Sequence, residues 1–100
     1  MPSSYSISEK ALKDIDDIWL YTAENWSYDQ ANRYYALIFT EIAYIAKHFE
    51  SGRDFSHKRA GYRFTKVKAH LIFYRKTEDD SVEIIRILHE SMDIESRLSE

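Results

Sequence analysis

From Ser8 onward, apolar positions recur at three- and four-residue intervals: Ala11, Ile15, Ile18, Thr22 and Trp26. Lys10, Lys13, Asp14, Asp17 and Glu24 fall mainly on the other faces. This spacing predicts an amphipathic helix that ends near Trp26. Ser6 and Glu9 stand in a capping-box relation, and Ser8 is a competing N-cap, with Tyr5–Ile7 as a short strand ahead of them. Ser27 repeats the cap signal with Gln30 three residues on, and opens a second helix. Its main stripe is Ala31, Tyr35, Ile38, Ile42, Ile45 and Phe49, and a parallel stripe of Ala36, Phe39, Ala43 and Ala46 lies beside it. An apolar arc that wide needs cover from more than one neighbour. Gly52 sits where a helix stop belongs. A turn over Asn25–Tyr28 makes the two helices an antiparallel hairpin.

The period then changes from near four to two. After the polar loop 51–59 come three runs rich in β-formers, YRFTKV, HLIFYRK and VEIIRILH. Turns at Lys68–Ala69 and Glu78–Ser81 join them into an antiparallel meander. The tail, SMDIESRLSE, reads as a short terminal helix with Met92 and Leu98 turned inward. The expected fold is therefore α+β: an N-terminal helix hairpin packed on a small antiparallel sheet, with a short C-terminal helix. Ile38, Ile42 and Ile45, at the centre of the most regular stripe, are expected between hairpin and sheet. Leu37 and Tyr44 interrupt the polar side of the same helix, beside Arg33, Thr40 and Lys47, and mark a face that a partner would cover.

Composition narrows the picture. One hundred residues form one domain, 1–100, and fifteen aromatics supply enough apolar surface to order it. The absence of cysteine excludes disulfides, thiolate nucleophiles and thiolate-bound zinc, and suits a reducing compartment. No basic-then-apolar leader opens the chain, and no apolar run approaches a membrane span, so a cytoplasmic protein without a membrane contact is expected. The net charge of −3 hides three blocks. Residues 1–50 and 77–100 are acidic, whereas 51–76 hold eight basic residues against Asp54 alone. Such a segment either solubilises a sheet face or binds an anion.

Candidate chemistry is sparse. Asp14, Asp16 and Asp17 have no histidine at ligand spacing and read as a solvated helix face. His48, His57, His70 and His89 fall in four different elements without an HxxxH or HExxH pattern, so neither a metal nor a cofactor is expected. No GxSxG elbow and no phosphate-cradling glycine loop occur. What remains is Arg63, Arg75, Arg86 and His89 on the predicted strands. By strict alternation Arg75 shares a face with Leu71 and Phe73, and Arg86 with Val82, Ile84 and Leu88. Each arginine is either a local salt-bridge residue, for example to Glu83 or Glu90, or one of a set converging on the sheet face the helices leave open.

The order strand–helix–helix–three strands, with YTAENWSYDQANRY, FESGR, HLIFYR and RILHESMDIESRL, resembles the ParE toxins of the RelE/ParE superfamily from about Tyr5 to Leu98. The resemblance implies the toxin of a type II toxin–antitoxin pair of the plasmid-stabilisation kind. Such a toxin is held by a cognate ParD-like antitoxin, whose C-terminal segment wraps it, and it inhibits DNA gyrase when freed. A homodimer and a toxin–antitoxin hetero-oligomer both fit this expectation. The residues expected at target and partner contacts are Arg75, Arg86, His89, Met92, Leu37 and Tyr44. The superfamily's other arm consists of ribosome-dependent endoribonucleases. On that alternative Lys58, Arg59, Arg63 and Arg86 would bind phosphate and His57 or His89 would act as acid or base, with Arg63, Arg86 and His89 as the catalytic set. The chain departs from the nuclease pattern, because its last tyrosine is Tyr74 and Glu90 and Asp93 follow His89. A pI of about 5.8 also disfavours steering to RNA. The expected activity is thus binding rather than catalysis.

Overall fold

The computed structural model describes residues 4–100. Strand β1 (Tyr5–Ile7) leads into α1 (Glu9–Asn25) and α2 (Tyr28–Lys47). A single 3₁₀ turn (Phe49–Ser51) then gives way to β2 (Arg53–Asp54), β3 (Arg63–Val67), β4 (His70–Lys76), β5 (Val82–His89) and α3 (Ile94–Leu98).

Local chemistry explains both helix starts. Ser8, not Ser6, caps α1, its Oγ accepting from Ala11 N–H at 3.0 Å. Ser27 caps α2 by accepting from Gln30 N–H at 3.0 Å. Helix α2 ends at Lys47, ahead of Gly52, because the chain tightens into the 3₁₀ turn first. Gly52 has ordinary extended backbone, φ −77°. Its glycine is required by proximity: a Cβ there would collide with the Tyr74 hydroxyl and lie 2.9 Å from Phe64 O. Gly61, by contrast, adopts φ +80°, the left-handed region that glycine enters without strain.

The α+β architecture matches the sequence pattern, and the meander β3–β4–β5 is antiparallel as expected. The sheet is wider than the meander, however, with order β1-β5-β4-β3-β2. Strand β1 pairs with β5 in parallel, Tyr5 opposite Val82 and Ile7 opposite Ile84. At the other edge the two-residue β2 rises out of the predicted polar loop to pair with β3.

The sheet carries a core on each face. The helix-side core contains Ala11 and Ile15 of α1, Ile38, Ile42 and Ile45 of α2, and Ile72, Tyr74, Ile84 and Ile87 of the sheet. The three α2 isoleucines are wholly buried, as their stripe requires. The second core lies on the opposite face, where Phe73, Leu88 and Leu98 meet Phe55, Tyr62 and Phe64. Phe55 packs edge-on against Phe64 and Phe73, with ring centroids 5.8 and 5.2 Å away. The face left by the helices is therefore covered by the β2–β3 loop and α3. Leu98 points inward as expected; Met92 does not, being 39% exposed. Tyr35 of the main α2 stripe is exposed, as are Ala36 and Ala43 of the parallel stripe.

Candidate functional site: a groove between the helix hairpin and the end of the sheet

Strict alternation along β5 fails at one residue. Phe73 pairs with Arg86 and Tyr74 with Ile84, so Ile85 is an extra residue, a β-bulge. Val82 and Ile84 consequently face the helices, whereas Leu88 joins the second core and Arg86 stands opposite Phe73. The expected common face for these four residues is broken by the bulge.

Arg86 is drawn to the sheet edge, where α1 passes. Its Nε and Nη2 donate to the two carboxylate oxygens of Asp14 at 2.8 and 3.0 Å, and Nη1 donates to Arg97 O at 2.9 Å. The Asp14 hydrogen bonds raise the guanidinium pKa further above its ordinary value. Asp14 also accepts from Ile87 N–H at 2.9 Å. Asp14 is therefore not on a solvated face, as its helical position suggested. It is the largely buried partner that joins α1 to the sheet edge, while Arg86 joins that edge to α3.

The other cations are engaged separately. Arg75 pairs with Glu83 at 3.1 Å, the local salt bridge anticipated for it. Arg63 donates to Gly52 O at 2.7 Å and lies over the Phe49 ring on the helix side of the sheet. Lys58 pairs with Glu95 at 3.2 Å and Arg59 donates to Ser99 Oγ at 2.5 Å, both near α3. His57 packs edge-on against Phe55. The arginines of the strands do not converge, and of the phosphate-binding set expected for a nuclease only Lys58 and Arg59 lie together, at α3.

A different grouping emerges. The groove-facing sides of α1 and α2, the β3–β4 turn, the end of β5 and the C-terminal segment enclose a groove of about 1330 Å³. Arg86, His89, Met92 and Leu37 all line it, whereas Arg75 and Tyr44 lie outside. Tyr44 instead packs on His48, ring centroids 4.5 Å apart. Exposed Tyr21, Trp26 and Leu37 with Met92 give the groove apolar walls.

The inner wall carries a histidine pair that the sequence reading passed over. His70 and His89 are direct cross-strand partners, rings 5.2 Å apart and nearly perpendicular. Tyr34 Oη lies 2.9 Å from Val67 O and 2.6 Å from His70 Nδ1. The hydroxyl has one proton, so both contacts are satisfied when it donates to Val67 and His70 Nδ1 carries its own hydrogen. His89 is in the other tautomer, its Nδ1 accepting from Ser91 N–H at 3.0 Å. Burial, followed by the adjacent His89, lowers the His70 pKa to about 4. The missed signal was the register: a turn at Lys68–Ala69 and antiparallel pairing of β4 with β5 are enough to bring the two histidines together.

Comparisons with known proteins agree with this architecture. The family model described as "ParE toxin of type II toxin-antitoxin system, parDE" matches residues 5–94. Toxin ParE1 of Caulobacter vibrioides is 39% identical over 94 residues, covering 94% of this chain and 96% of that protein. Toxin ParE1 of Mycobacterium tuberculosis is 33% identical over 98 residues, covering 98% and 100%. A solved structure titled "Chromosomal ParDE TA system from P. aeruginosa" superposes with a TM-score of 0.76 over 88% of this chain and 96% of that one; at 17% identity it bears on the fold.

Proposed function

The chain belongs to the ParE toxins of type II toxin–antitoxin systems, and we propose that a cognate ParD-like antitoxin neutralises it by occupying the groove and that the freed toxin inhibits DNA gyrase by protein–protein contact. The observation carrying the first half is the groove itself. Leu37, Met92, Tyr21 and Trp26 all line it and are exposed, apolar side chains of the kind that mark a protein-binding site. Burying such side chains against a partner supplies the favourable term, and the surrounding polar rim gives register.

The gyrase half rests on family membership and on the distribution of the cations. Phosphodiester cleavage needs fixed donors gathered where charge develops. Here Arg63 is held by Gly52 O and Arg86 by Asp14, while Lys58 and Arg59 are taken up together at α3 by Glu95 and Ser99. A binding activity makes no such demand. No helix among the described residues is long and apolar enough to cross a membrane.

The test is induced expression without antitoxin, followed in parallel by gyrase supercoiling and ribosome-dependent mRNA cleavage with the purified protein. Loss of supercoiling with intact mRNA is expected. Specific mRNA cleavage with unaffected gyrase would replace this reading with the endoribonuclease one.

A further inference from the structure

A second cleft lies at the tip of the helix hairpin, where α1 turns into α2. Trp19, Leu20, Ala23, Glu24, Ser27 and Tyr28 enclose about 440 Å³ there, and none of the six lines the groove. Its two aromatic rings are held in place. Trp19 and Tyr28 stack with centroids 5.8 Å apart and planes 13° from parallel, and the indole Nε1–H donates to Asn32 Oδ1 at 3.0 Å. One face of the Tyr28 ring is turned to Trp19. The residue is nevertheless 71% exposed, so its other face is open.

The electrostatics at this tip lack a cation. The C-terminal end of a helix carries partial negative charge, which Lys or Arg in the last turn usually offsets. Helix α1 has no basic residue in its last turn and has Glu24 instead. Glu24 has no ion-pair partner among the described residues, and no Lys or Arg lines the cleft. The carbonyls of Ala23, Glu24 and Asn25 accept no hydrogen bond from the described residues either. Asp29 is a different case, because it lies in the first turn of α2 and faces the positive end of its own helix. Glu24 is the uncompensated acid.

A ligand that suits this cleft offers a flat face to a ring, positive charge to a carboxylate and several donors to carbonyl oxygens. Guanidinium has all three, being planar with five N–H donors and no acceptor, whereas ammonium lacks the plane. We infer that the hairpin tip is an arginine slot, in which an arginine on the surface of the toxin's target stacks on Tyr28 and bonds to Glu24 and the last carbonyls of α1. The inference deepens the gyrase half of the reading above and rests on it only for the identity of the partner. An enzyme that binds DNA lines its DNA path with Lys and Arg to meet the phosphates. An acidic, aromatic projection complements such a surface. Filling the groove does not use the slot, since the two share no residue.

The probe is the capped peptide acetyl-Gly-Arg-Gly-amide, titrated into the isotope-labelled protein and read at the two indole N–H resonances. Trp19 is expected to shift toward saturation while Trp26, in the groove, stays in place. The citrulline counterpart keeps the plane and loses the charge, and is expected to bind at least about fivefold more weakly. Tyr28→Ala should weaken the arginine peptide about two- to fivefold. An unmoved Trp19, a shift confined to Trp26, equal binding of the citrulline peptide, or equal binding to Tyr28→Ala would each overturn the slot.

Glu24→Arg then tests the partner. The change places a cation at a helix C-terminus, so the fold is expected to hold. It should raise the toxin concentration that half-inhibits gyrase supercoiling at least about tenfold, and leave antitoxin affinity unchanged within about twofold. Inhibition equal to the parent's would overturn the slot as the target contact. A parent that leaves gyrase untouched, with the peptide still shifting Trp19, would overturn the gyrase reading and leave the arginine slot standing.

Discussion

Asp14 and Arg86 are 72 residues apart in the chain and meet in a bidentate pair at 2.8 and 3.0 Å, their side chains only 13% and 9% exposed. The pair is the hinge of the candidate site. It fixes α1 against the sheet edge, and through Arg97 O it seats α3. A carboxylate left alone at such a position keeps its desolvation cost without its partner. Arg86→Met should therefore destabilise the protein by about 3–5 kcal/mol, and Asp14→Leu with Arg86→Met by less than the sum of the two single changes. Urea unfolding of the three variants measures both.

Ile42 lies at the centre of the helix-side core with no exposure. Ile42→Ala should cost about 2–5 kcal/mol in denaturant titration. A cost below about 1 kcal/mol would place that stripe against a partner rather than the sheet.

Gly52 and Tyr74 share one space. Tyr74 Oη donates to Phe49 O at 2.8 Å through the position a Cβ at residue 52 would occupy. Gly52→Ala should destabilise by more than about 1 kcal/mol, since backbone and a buried ring must both shift. Adding Tyr74→Phe, which removes the colliding hydroxyl, should recover part of that loss, a non-additivity visible in thermal unfolding.

His70 makes stability pH-dependent. Its folded pKa of about 4 lies below the ordinary 6.5, so the fold favours the neutral ring. Burial is the main cause, the neighbouring His89 adds to it, and Asp14 and Glu90 oppose it. The unfolded state thus binds the extra proton first, and the contribution present above pH 6.5 is lost as pH falls toward 4. The stability difference between the parent and His70→Gln should shift against the parent across that window and be flat above it. A difference independent of pH would remove His70 as the titrating group.

The sequence made the architecture legible where period and capping agreed. Ser8, Ser27, the α2 isoleucines and the three meander strands all follow from local pattern. Two features escaped for physical reasons. The Ile85 bulge shifts the alternation of β5 by one residue, and nothing in VEIIRILH distinguishes its extra residue from its neighbours. Asp14 looked solvated because its burial comes from the far end of the chain, through Arg86 and Ile87. Likewise Arg86, His89, Met92 and Leu37 gather in one groove only once helices, β3–β4 turn and tail are assembled, whereas Arg75 and Tyr44 look equivalent in sequence and end elsewhere.

The central claim is that the groove is the antitoxin's seat, and calorimetric titration of the antitoxin into Leu37→Glu/Met92→Glu tests it most directly. Both side chains are half-exposed on the groove walls, so the fold should survive, with the parent's unfolding temperature as its control. Two charges placed against a buried apolar contact should weaken the complex about a hundredfold or more. An antitoxin that binds the folded variant as tightly as the parent would contradict the account.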